Sequence, residues 1–406
     1  MLGRSKKLIL TATALAGVSS PVVYEQYDQH KERTYIVVPV RQNGKIAKFD
    51  LKNEALKYGI EIKEAGNGYE VKSSKSRYNK ASGPNNGGII IEEKTLYEIR
   101  RVKPKALFGC NGPMPTPAPW PTPTPTVTPP PSDGPTPIPT PTQVADWGVD
   151  RVHSLKVFNK VDASQIKICD VDTGIAANHP DLKIEAAINF TTSDRNDWVD
   201  RDGHGTHTAG LLAAVNNSFG VVGASQAKLF SCKGIADDGW GSNADLAACI
   251  DWCNYTVDAD IINASWGGPQ FSFVIYNSIS NFLSSKPHRE FYAAAGNDSS
   301  TLKGYPASHN SDFNRLFAIS ATDRSDRLAY YSNYTGINFA CPGSDIRSTV
   351  PYGNGYDTYS GTSMATPICA GVGALYMQAG KQKKFDNLGS PDKFGSGILN
   401  AEGVLD

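Results

Sequence analysis

The sequence predicts an α/β domain with a mostly parallel sheet, preceded by a small α+β domain. From Gln143 to the end of the chain, short apolar strand-like segments alternate with helix-like segments, a pattern typical of a parallel sheet covered by helices. A proline-rich run separates this part from a shorter one that carries strand and hairpin signals. With 406 residues, the chain is long enough for two or three domains.

The predicted sheet of the second part rests on four apolar segments, at residues 166–171, 228–231, 261–262 and 291–294. Helices are expected at residues 245–253 and 363–378. In parallel sheets, functional groups collect beyond the carboxyl ends of the strands. The residues that directly follow these segments are therefore the candidates for chemistry.

The helix at 363–378 begins within Ser-Gly-Thr-Ser-Met-Ala-Thr-Pro, residues 360–367, and continues with small apolar residues that suit a buried position. Because a helix N-terminus stabilises nearby negative charge, Ser363 has an advantage there as a nucleophile. Pro367 is expected in the first turn, where its missing N–H costs nothing. A capped core helix is the alternative, since serine is a common N-cap.

Residues 21–110 predict the small α+β domain. Strands are expected at 35–38 and 89–91, a short helix at 51–58, and a hairpin at 60–71 around Ala-Gly-Asn-Gly. Residues 111–142 form a linker, because 14 of the 30 residues from 113 to 142 are proline. We expect an extended spacer of roughly 90 Å, at about 3.1 Å per residue; a ligand for a proline-binding module is the alternative.

Residues 1–20 are predicted to be a secretory signal peptide. Arg4, Lys6 and Lys7 form a charged start, and the apolar run at 8–18 is followed by small residues suited to cleavage. Because that run is too short to span a bilayer, no stable membrane anchor is expected. The sequence therefore predicts a secreted protein.

The balanced overall charge hides an asymmetry. Residues 1–110 carry 20 Lys/Arg and 11 Asp/Glu, and the rest of the chain carries 20 and 29, so the two parts have formal charges of +9 and −9. A basic N-terminal part and an acidic C-terminal part argue against nucleic acid as a partner and favour electrostatic attraction between the two parts.

Seven cysteines are scattered along the chain without a CxxC pair, which argues against a zinc site. Cys169 and Cys369 lie in strongly apolar surroundings typical of buried thiols. Export permits disulfides, but the sequence leaves their pairing open, and the odd count leaves at least one cysteine without an intramolecular partner.

Four polar residues occur in a suggestive order along the chain. Asp172 ends the strand at 166–171, His204 lies in Gly-His-Gly-Thr-His, and Asn297 follows Ala-Ala-Ala-Gly. Asp170 competes with Asp172, which is preferred because the Thr-Gly turn follows it. Metal binding by His204 and His207 is disfavoured, since H-x-x-H lacks the glutamate of the common zinc motif. Together with Ser363, these residues could supply nucleophile, base, orienting acid and oxyanion donor.

The order Asp172, His204, Ser363 is that of subtilisin. From residue 143 onward the chain resembles the subtilisin-like serine proteases in its D-T-G, H-G-T-H and G-T-S-M-A-T-P segments. The resemblance implies a three-layer subtilisin-like catalytic domain at 143–406, with these residues as the triad and Asn297 as the oxyanion-hole side chain. It assigns His207 a structural role.

The resemblance also implies a substrate site. A peptide would pair with the segment 265–268 on one side and with 238–241 on the other, and a large P1 side chain would enter an open pocket. Trp266 is bulky for its position and is expected to narrow the neighbouring subsites. The residues assigned to this site are Ser265, Trp266, Gly267, Gly268, Gly239, Gly241 and Gly304.

A structural Ca²⁺ site is implied in the same way. Its side-chain ligands would be Gln143, Asp181 and Asn217, and its backbone ligands Val215, Phe219 and Val221. Hard oxygen ligands of this kind suit calcium. A ligand-free loop is the alternative.

The predicted function is that of a secreted, monomeric serine endopeptidase acting on proteins or peptides through an acyl-enzyme. The alternative is a catalytically silent relative that serves as a binding or surface module. The domain at 21–110 resembles a prodomain in position, size and charge, which implies that it inhibits the enzyme and is cut off. The sequence favours a first cut at 107–110 over one at 140–143.

Overall fold

The computed structural model describes residues 143–353 and 355–406 in full, and within residues 1–142 it describes the backbone of seven short strands. The predicted signal peptide, the helix at 51–58 and the linker lie outside the described residues, except where a strand crosses them. The seven strands are β1 (Thr11–Ala12), β2 (Val23–Tyr24), β3 (Tyr35–Pro39), β4 (Glu61–Ala65), β5 (Gly68–Lys72), β6 (Ile89–Glu93) and β7 (Leu96–Glu98).

The strands expected in this first part are present. Strand β3 pairs antiparallel with β6, and β4 pairs antiparallel with β5, as expected for the hairpin predicted at 60–71. Strands β1 and β2 form a third antiparallel pair.

A nine-stranded sheet forms the centre of the second part. Its strand order is β18-β19-β15-β14-β13-β12-β8-β10-β9, and it is parallel except for the pair β18–β19. The members are β8 (Lys167–Asp172), β9 (Ile184–Asn189), β10 (Lys228–Lys233), β12 (Ile261–Ala264), β13 (Glu290–Ala294), β14 (Leu316–Thr322), β15 (Phe339–Pro342), β18 (Phe385–Asp386) and β19 (Ile398–Leu399). The four predicted strands are confirmed, with bounds that differ by one or two residues.

Helices cover both faces of this sheet. They are α1 (Trp147–Arg151), α2 (His204–Ala213), α3 (Asn243–Trp252), α4 (Phe273–Ser285), α5 (Thr362–Ala379) and α6 (Pro391–Phe394). One buried hydrophobic cluster includes residues of α2 and α5, and the other includes residues of α3 and α4. Strand β8 contributes Ile168 to the first cluster and Cys169 to the second, because successive side chains point to opposite faces. The predicted three-layer α/β fold is confirmed.

Two small sheets lie beside the large one. Strands β16 (Ile346–Thr349) and β17 (Tyr356–Tyr359) form an antiparallel pair next to α2. Strand β11 (Trp240–Ser242) pairs antiparallel with β7 from the first part of the chain.

Within residues 143–406, three disulfides join strands of the large sheet to the layers around it. Cys169 of β8 is bonded to Cys253 directly after α3, and Cys232 of β10 is bonded to Cys249 within α3. Cys341 of β15 is bonded to Cys369 of α5. The interpretation of Cys169 and Cys369 as buried thiols is therefore wrong. Their apolar surroundings reflect burial, which a buried disulfide shares with a buried thiol.

No helix in the described part of the chain is long and apolar enough to cross a membrane.

Candidate active site

Asp172 is the last residue of β8 and is completely buried. Its Oδ1 lies 2.8 Å from Nδ1 of His204, and its Oδ2 lies 3.0 Å from the same nitrogen. Gly174 continues the turn with φ 104°, where a side chain would be strained and would collide with the carbonyl oxygen of Trp198. The Asp-Thr-Gly segment thus turns sharply and leaves the carboxylate facing the imidazole.

His204 is the first residue of α2 and follows Gly203, which has φ 99°. The start of this helix is held by Asp200, a buried carboxylate that sequence reasoning missed. Oδ1 of Asp200 accepts hydrogen bonds from the backbone N–H of Gly203 and from the hydroxyl of Thr173, and its Oδ2 accepts from the backbone N–H and hydroxyl of Thr206. An aspartate four residues before His204 was the available signal, because carboxylates often accept hydrogen bonds from the N–H groups at the start of a helix.

The second ring nitrogen of His204 is buried and makes no hydrogen bond within the described part of the chain. Since Nδ1 is engaged by Asp172, the Nε2 nitrogen is the one that could accept a proton. Helix α2 packs against α5, which carries Ser363 as its second residue. The His204 helix and the Ser363 helix are thus direct neighbours.

The hydroxyl of Ser363 donates a hydrogen bond to the backbone carbonyl oxygen of Ser265, 2.8 Å away. Ser363 is only 3% exposed. In this arrangement the hydroxyl is directed to the segment that follows β12 rather than to His204. Catalytic hydrogen bonds are often loose without substrate and tighten when it binds.

Pro367 lies in the second turn of α5, not in the first as expected, because the helix already begins at Thr362. A residue with an N–H at this position would donate to the carbonyl oxygen of Ser363. That oxygen instead accepts the hydroxyl of Ser265 at 2.9 Å. The missing helix bond is thus replaced by a side chain from the neighbouring segment.

Asn297 follows β13 and contacts the start of α5. Its Oδ1 accepts hydrogen bonds from the backbone N–H of Thr362 at 2.8 Å and from the hydroxyl of Thr362 at 3.0 Å. These bonds fix the orientation of the amide, since the oxygen must face Thr362 and the nitrogen must face away from it.

One predicted substrate segment, at 265–268, pairs with the segment around Tyr305. Gly268 and Tyr305 exchange backbone hydrogen bonds of 2.9 Å and 2.8 Å, which bring Gly267 and Gly304 close to each other. A Cβ atom at Gly267 would lie 3.2 Å from the carbonyl oxygen of Tyr305, and one at Gly304 would lie 3.2 Å from that of Gly268. Side chains at these positions would crowd the facing backbone.

Strand β11 supplies the other edge. Gly239 precedes it with φ 83°, and a Cβ atom at Gly241 would lie 2.5 Å from the carbonyl oxygen of Gly234. In the register with β7, Trp240 faces Glu98, Gly241 faces Tyr97 and Ser242 faces Leu96. The edge that was expected to receive a substrate is thus paired with a segment of the same chain.

Trp266 is 1% exposed and belongs to the hydrophobic cluster that includes α3 and α4. This differs from the expectation that its bulk narrows the neighbouring subsites, because an indole packed into the core layer does not project as an exposed wall. Trp240, by contrast, is 43% exposed on β11.

The residues predicted to bind calcium lie together. Nε2 of Gln143 is surrounded by oxygens, at 2.8 Å from Val215 O, 3.1 Å from Val221 O and 3.4 Å from Asn217 Oδ1. Asn217 Nδ2 donates to Asp181 Oδ1 at 2.9 Å, and Phe219 joins through its N–H, which donates to Asn217 Oδ1 at 3.2 Å. Turning the Gln143 amide over would add Oε1 to this group of oxygens. The donor set therefore fits a hard cation such as Ca²⁺.

The side chain of His207 is buried and packs against the small sheet of β16 and β17. Its ring stacks on Tyr359 with centroids 4.3 Å apart, and its Nε2 lies 3.1 Å from the carbonyl oxygen of Ile346. These contacts join α2 to the small sheet of β16 and β17, as a structural residue would.

A parallel sheet with a buried Asp–His pair, whose His204 helix packs against a buried helix that begins beside a serine, is typical of the subtilisin-like class of serine protease. The family model of the subtilase family matches residues 163–397, more than half of the chain. The chain belongs to this family.

Named relatives cover the same region. Subtilisin BL from Lederbergia lenta is 34% identical over 276 residues, which are 64% of this chain and 98% of that protein. Alkaline elastase YaB from Bacillus sp. (strain YaB) is 34% identical over 274 residues, which are 64% of this chain and 70% of that protein. Subtilisin J from Geobacillus stearothermophilus is 32% identical over 280 residues, which are 64% of this chain and 71% of that protein.

Proposed function

We propose that this subtilase is a secreted serine endopeptidase whose triad is Asp172, His204 and Ser363. The observation that carries the proposal is the buried pair of Asp172 and His204, whose remaining nitrogen, Nε2, has no other partner within the described residues. A carboxylate on Nδ1 fixes the tautomer in which Nε2 can act as a base, and stabilises the imidazolium that forms.

The reaction begins when the Ser363 hydroxyl leaves the carbonyl of Ser265 and turns to His204. Nε2 takes the hydroxyl proton as Oγ attacks the peptide carbonyl, and the protonated ring then gives this proton to the leaving amine. Water hydrolyses the resulting acyl-enzyme by the same steps in reverse. Asn297 stabilises the oxyanion through its amide N–H, with its oxygen held by Thr362.

The substrate would lie extended between the segment at 265–268 and strand β11. Recognition through backbone hydrogen bonds implies broad sequence specificity. By the family resemblance, a pocket bordered by the glycines at 267, 268 and 304 would receive a large apolar or aromatic P1 side chain. Some basic P1 side chains would also be accepted if Asp298, which follows Asn297 in the sequence, brings its negative charge to the rim of this pocket.

Ca²⁺ would be held by the oxygens around Gln143, Asp181 and Asn217. The bound ion would cross-link three segments of the domain. Its ligands come from the N-terminus of the domain, the segment after β8 and the loop after α2. No reacting group lies in this set.

The remaining parts of the chain would serve export and control. Residues 1–20 would direct secretion, residues 21–110 would act as an inhibitory prodomain, and residues 111–142 would link it to the catalytic domain at 143–406. The opposite charges of the two parts and the pairing of β7 with β11 support docking of the prodomain on the enzyme. The mature enzyme would be a monomer.

A fluorophosphonate probe tests the proposal against the catalytically silent alternative. The native chain should be labelled at Ser363 and should hydrolyse a denatured protein, and Ser363→Ala should do neither while retaining the folded circular dichroism spectrum. A native chain that folds but is not labelled would favour the silent binding module. Full hydrolysis by Ser363→Ala would refute the assignment of the nucleophile.

A further inference from the structure

Asp170 is a second buried carboxylate beside the proposed triad. It lies two residues before Asp172 on β8, so both side chains point to the same face of the sheet. Asp170 is 1% exposed. The reaction described above gives it no role, and a buried carboxyl without a role is costly to keep.

Two elements of the proposed site donate hydrogen bonds to this carboxyl. Oδ2 accepts the hydroxyl of Thr208 at 2.8 Å, and Thr208 lies on α2, one turn after His204. Oδ1 accepts Nδ2 of Asn263 at 2.8 Å, and Asn263 lies next to Asp170 in the register of β8 with β12. Asp170 therefore bridges the helix of His204 and the strand that leads to Ser265.

The second bridge continues to the nucleophile. Nδ2 of Asn263 also donates to the hydroxyl oxygen of Ser265 at 3.0 Å, and that hydroxyl donates to the carbonyl oxygen of Ser363 at 2.9 Å. All of these groups are buried. One continuous set of hydrogen bonds thus joins the elements that carry Asp172, His204 and Ser363.

The charges around Asp170 favour its neutral form. Burial, followed by the nearby negative charge of Asp172, raises the pKa of Asp170 well above its ordinary value, and Asp200 acts in the same direction. His204 is engaged by Asp172, and the cation on the next strand, Lys233, is held by the carbonyl of Thr173 and by Asp237.

The geometry accommodates a proton on Asp170. The hydroxyl oxygen of Thr208 lies 3.0 Å from the carbonyl oxygen of Gly205 as well as 2.8 Å from Asp170. A protonated Oδ2 can therefore donate to Thr208, whose own proton then goes to Gly205. Both hydroxyl contacts are satisfied in this form.

We propose that Asp170 is a positioning residue, which sets the His204 helix and the Ser265–Ser363 contact relative to Asp172 by hydrogen-bonding to Thr208 and Asn263. This inference rests on the proposed triad. Misplacement of catalytic groups by about 1 Å can lower the rate by about a hundredfold. The hydrogen bonds of Asp170 to Thr208 and Asn263 should therefore affect kcat more than substrate binding.

Two substitutions separate the effect of the hydrogen bonds made by Asp170 from the effect of its charge. Asp170→Asn keeps both hydrogen bonds, since its oxygen can accept from Asn263 and its amide can donate to Thr208. Its kcat should stay within about threefold of the native value. Asp170→Val removes both bonds and should lower kcat by about ten- to a hundredfold with little change in KM. The rate of fluorophosphonate labelling should fall in parallel.

Two further variants keep the test decisive if Asp170→Val does not fold. Thr208→Val removes only the link to α2 and should lower kcat by itself, and it should add little in the Asp170→Val background because both act on one network. Asp146→Val is the matched control. Asp146 is also buried and accepts two backbone hydrogen bonds, from Gly148 and Arg347, but it caps α1. It should lower stability and leave kcat unchanged.

A folded Asp170→Val or Thr208→Val enzyme with native kcat would overturn the proposal, and so would an Asp170→Asn enzyme as impaired as Asp170→Val. These outcomes are distinct from failure of the triad assignment. If the triad assignment fails, the native chain is not labelled, or Ser363→Ala stays active.

Discussion

Ser265 and Ser363 exchange hydrogen bonds in both directions. The hydroxyl of Ser265 donates to the carbonyl oxygen of Ser363 at 2.9 Å, and the hydroxyl of Ser363 donates to the carbonyl oxygen of Ser265 at 2.8 Å. The first bond fills the place of the helix bond that Pro367 cannot make. It anchors the first turn of α5 to the segment proposed to bind substrate.

Ser265→Ala should therefore destabilise the enzyme by about 1–3 kcal/mol, because it leaves the buried carbonyl of Ser363 unpaired. Pro367→Ala supplies an N–H at the position from which a helix bond to that carbonyl is normal. The cost of Ser265→Ala should thus be smaller in the Pro367→Ala background. Thermal unfolding of the inhibited enzymes, which cannot digest themselves, measures both. Equal costs in the two backgrounds would contradict this account of Pro367.

Asn297→Ala should slow hydrolysis by on the order of a hundredfold or more, because it removes the proposed oxyanion donor. The effect should fall on kcat, since the donor acts on charge that develops in the transition state. Steady-state kinetics on a peptide substrate provide the measurement. Thr362→Val serves as a control for the orientation of the amide, because it removes one of the two bonds to Asn297 Oδ1 and keeps the amide nitrogen. A loss confined to KM in Asn297→Ala would argue for a substrate-binding role instead.

Asp170 should also make stability depend on pH. Because its pKa is raised in the folded protein, the folded state holds a proton that the unfolded chain releases above about pH 4. The free energy of unfolding should therefore fall as pH rises from there to the raised pKa, and the difference should be constant above it. Asp170→Asn lacks this loss, so its stability relative to the native chain should grow with pH over that interval. Denaturant unfolding at a series of pH values tests this; parallel curves would mean that Asp170 is ionised in both states.

The sequence was sufficient for the fold and the spacing of the candidate site because both depend on local patterns. Apolar runs that end shortly before Asp172 and Asn297 place these two groups beyond the carboxyl ends of parallel strands, and the His-Gly-Thr-His segment marks His204 at the start of α2. What it could not provide depends on contacts between distant segments. The partners of Cys169 and Cys369, the burial of Trp266 and the hydroxyl that compensates for Pro367 each depend on a residue elsewhere in the chain. Asp170 was weighed only as a rival of Asp172, since nothing local showed that Asn263 and Thr208 would meet it.

Removing calcium should lower the melting temperature. Binding to the folded state alone stabilises by about 2.7 kcal/mol at a hundredfold excess over the dissociation constant. Asp181→Ala should abolish the effect of a chelator, because this buried carboxylate is the charged member of the proposed ligand set. Asp194→Ala, at a loop carboxylate that accepts the backbone N–H of Asn196, should keep it. An unchanged melting temperature in chelator for the native chain would count against the site.

The pairing of β7 with β11 bears on where the precursor is cut. The two strands are antiparallel, so β7 runs from Ser242 toward Trp240. That end of β11 is the one nearer the triad, because Asp237 binds Lys233 at the end of β10 and Arg201 shortly before His204. The carboxyl end of β7, at Glu98, thus lies at the end of β11 that is nearer the triad.

We therefore expect the first cut directly after β7, at residues 99–101, rather than at 107–110 as the sequence favoured. Leu107 lies nine positions after Glu98, a stretch that can span about 30 Å when extended, whereas a scissile bond lies within a few residues of the strand that holds it. Tyr97→Pro should slow the first cut, because proline lacks the N–H for strand pairing, and Phe108→Pro should leave it unchanged. N-terminal sequencing of the first product decides between the two. A product that begins at residues 108–111, together with sensitivity to Phe108→Pro, would restore the later junction and show that β7 is not held as a substrate.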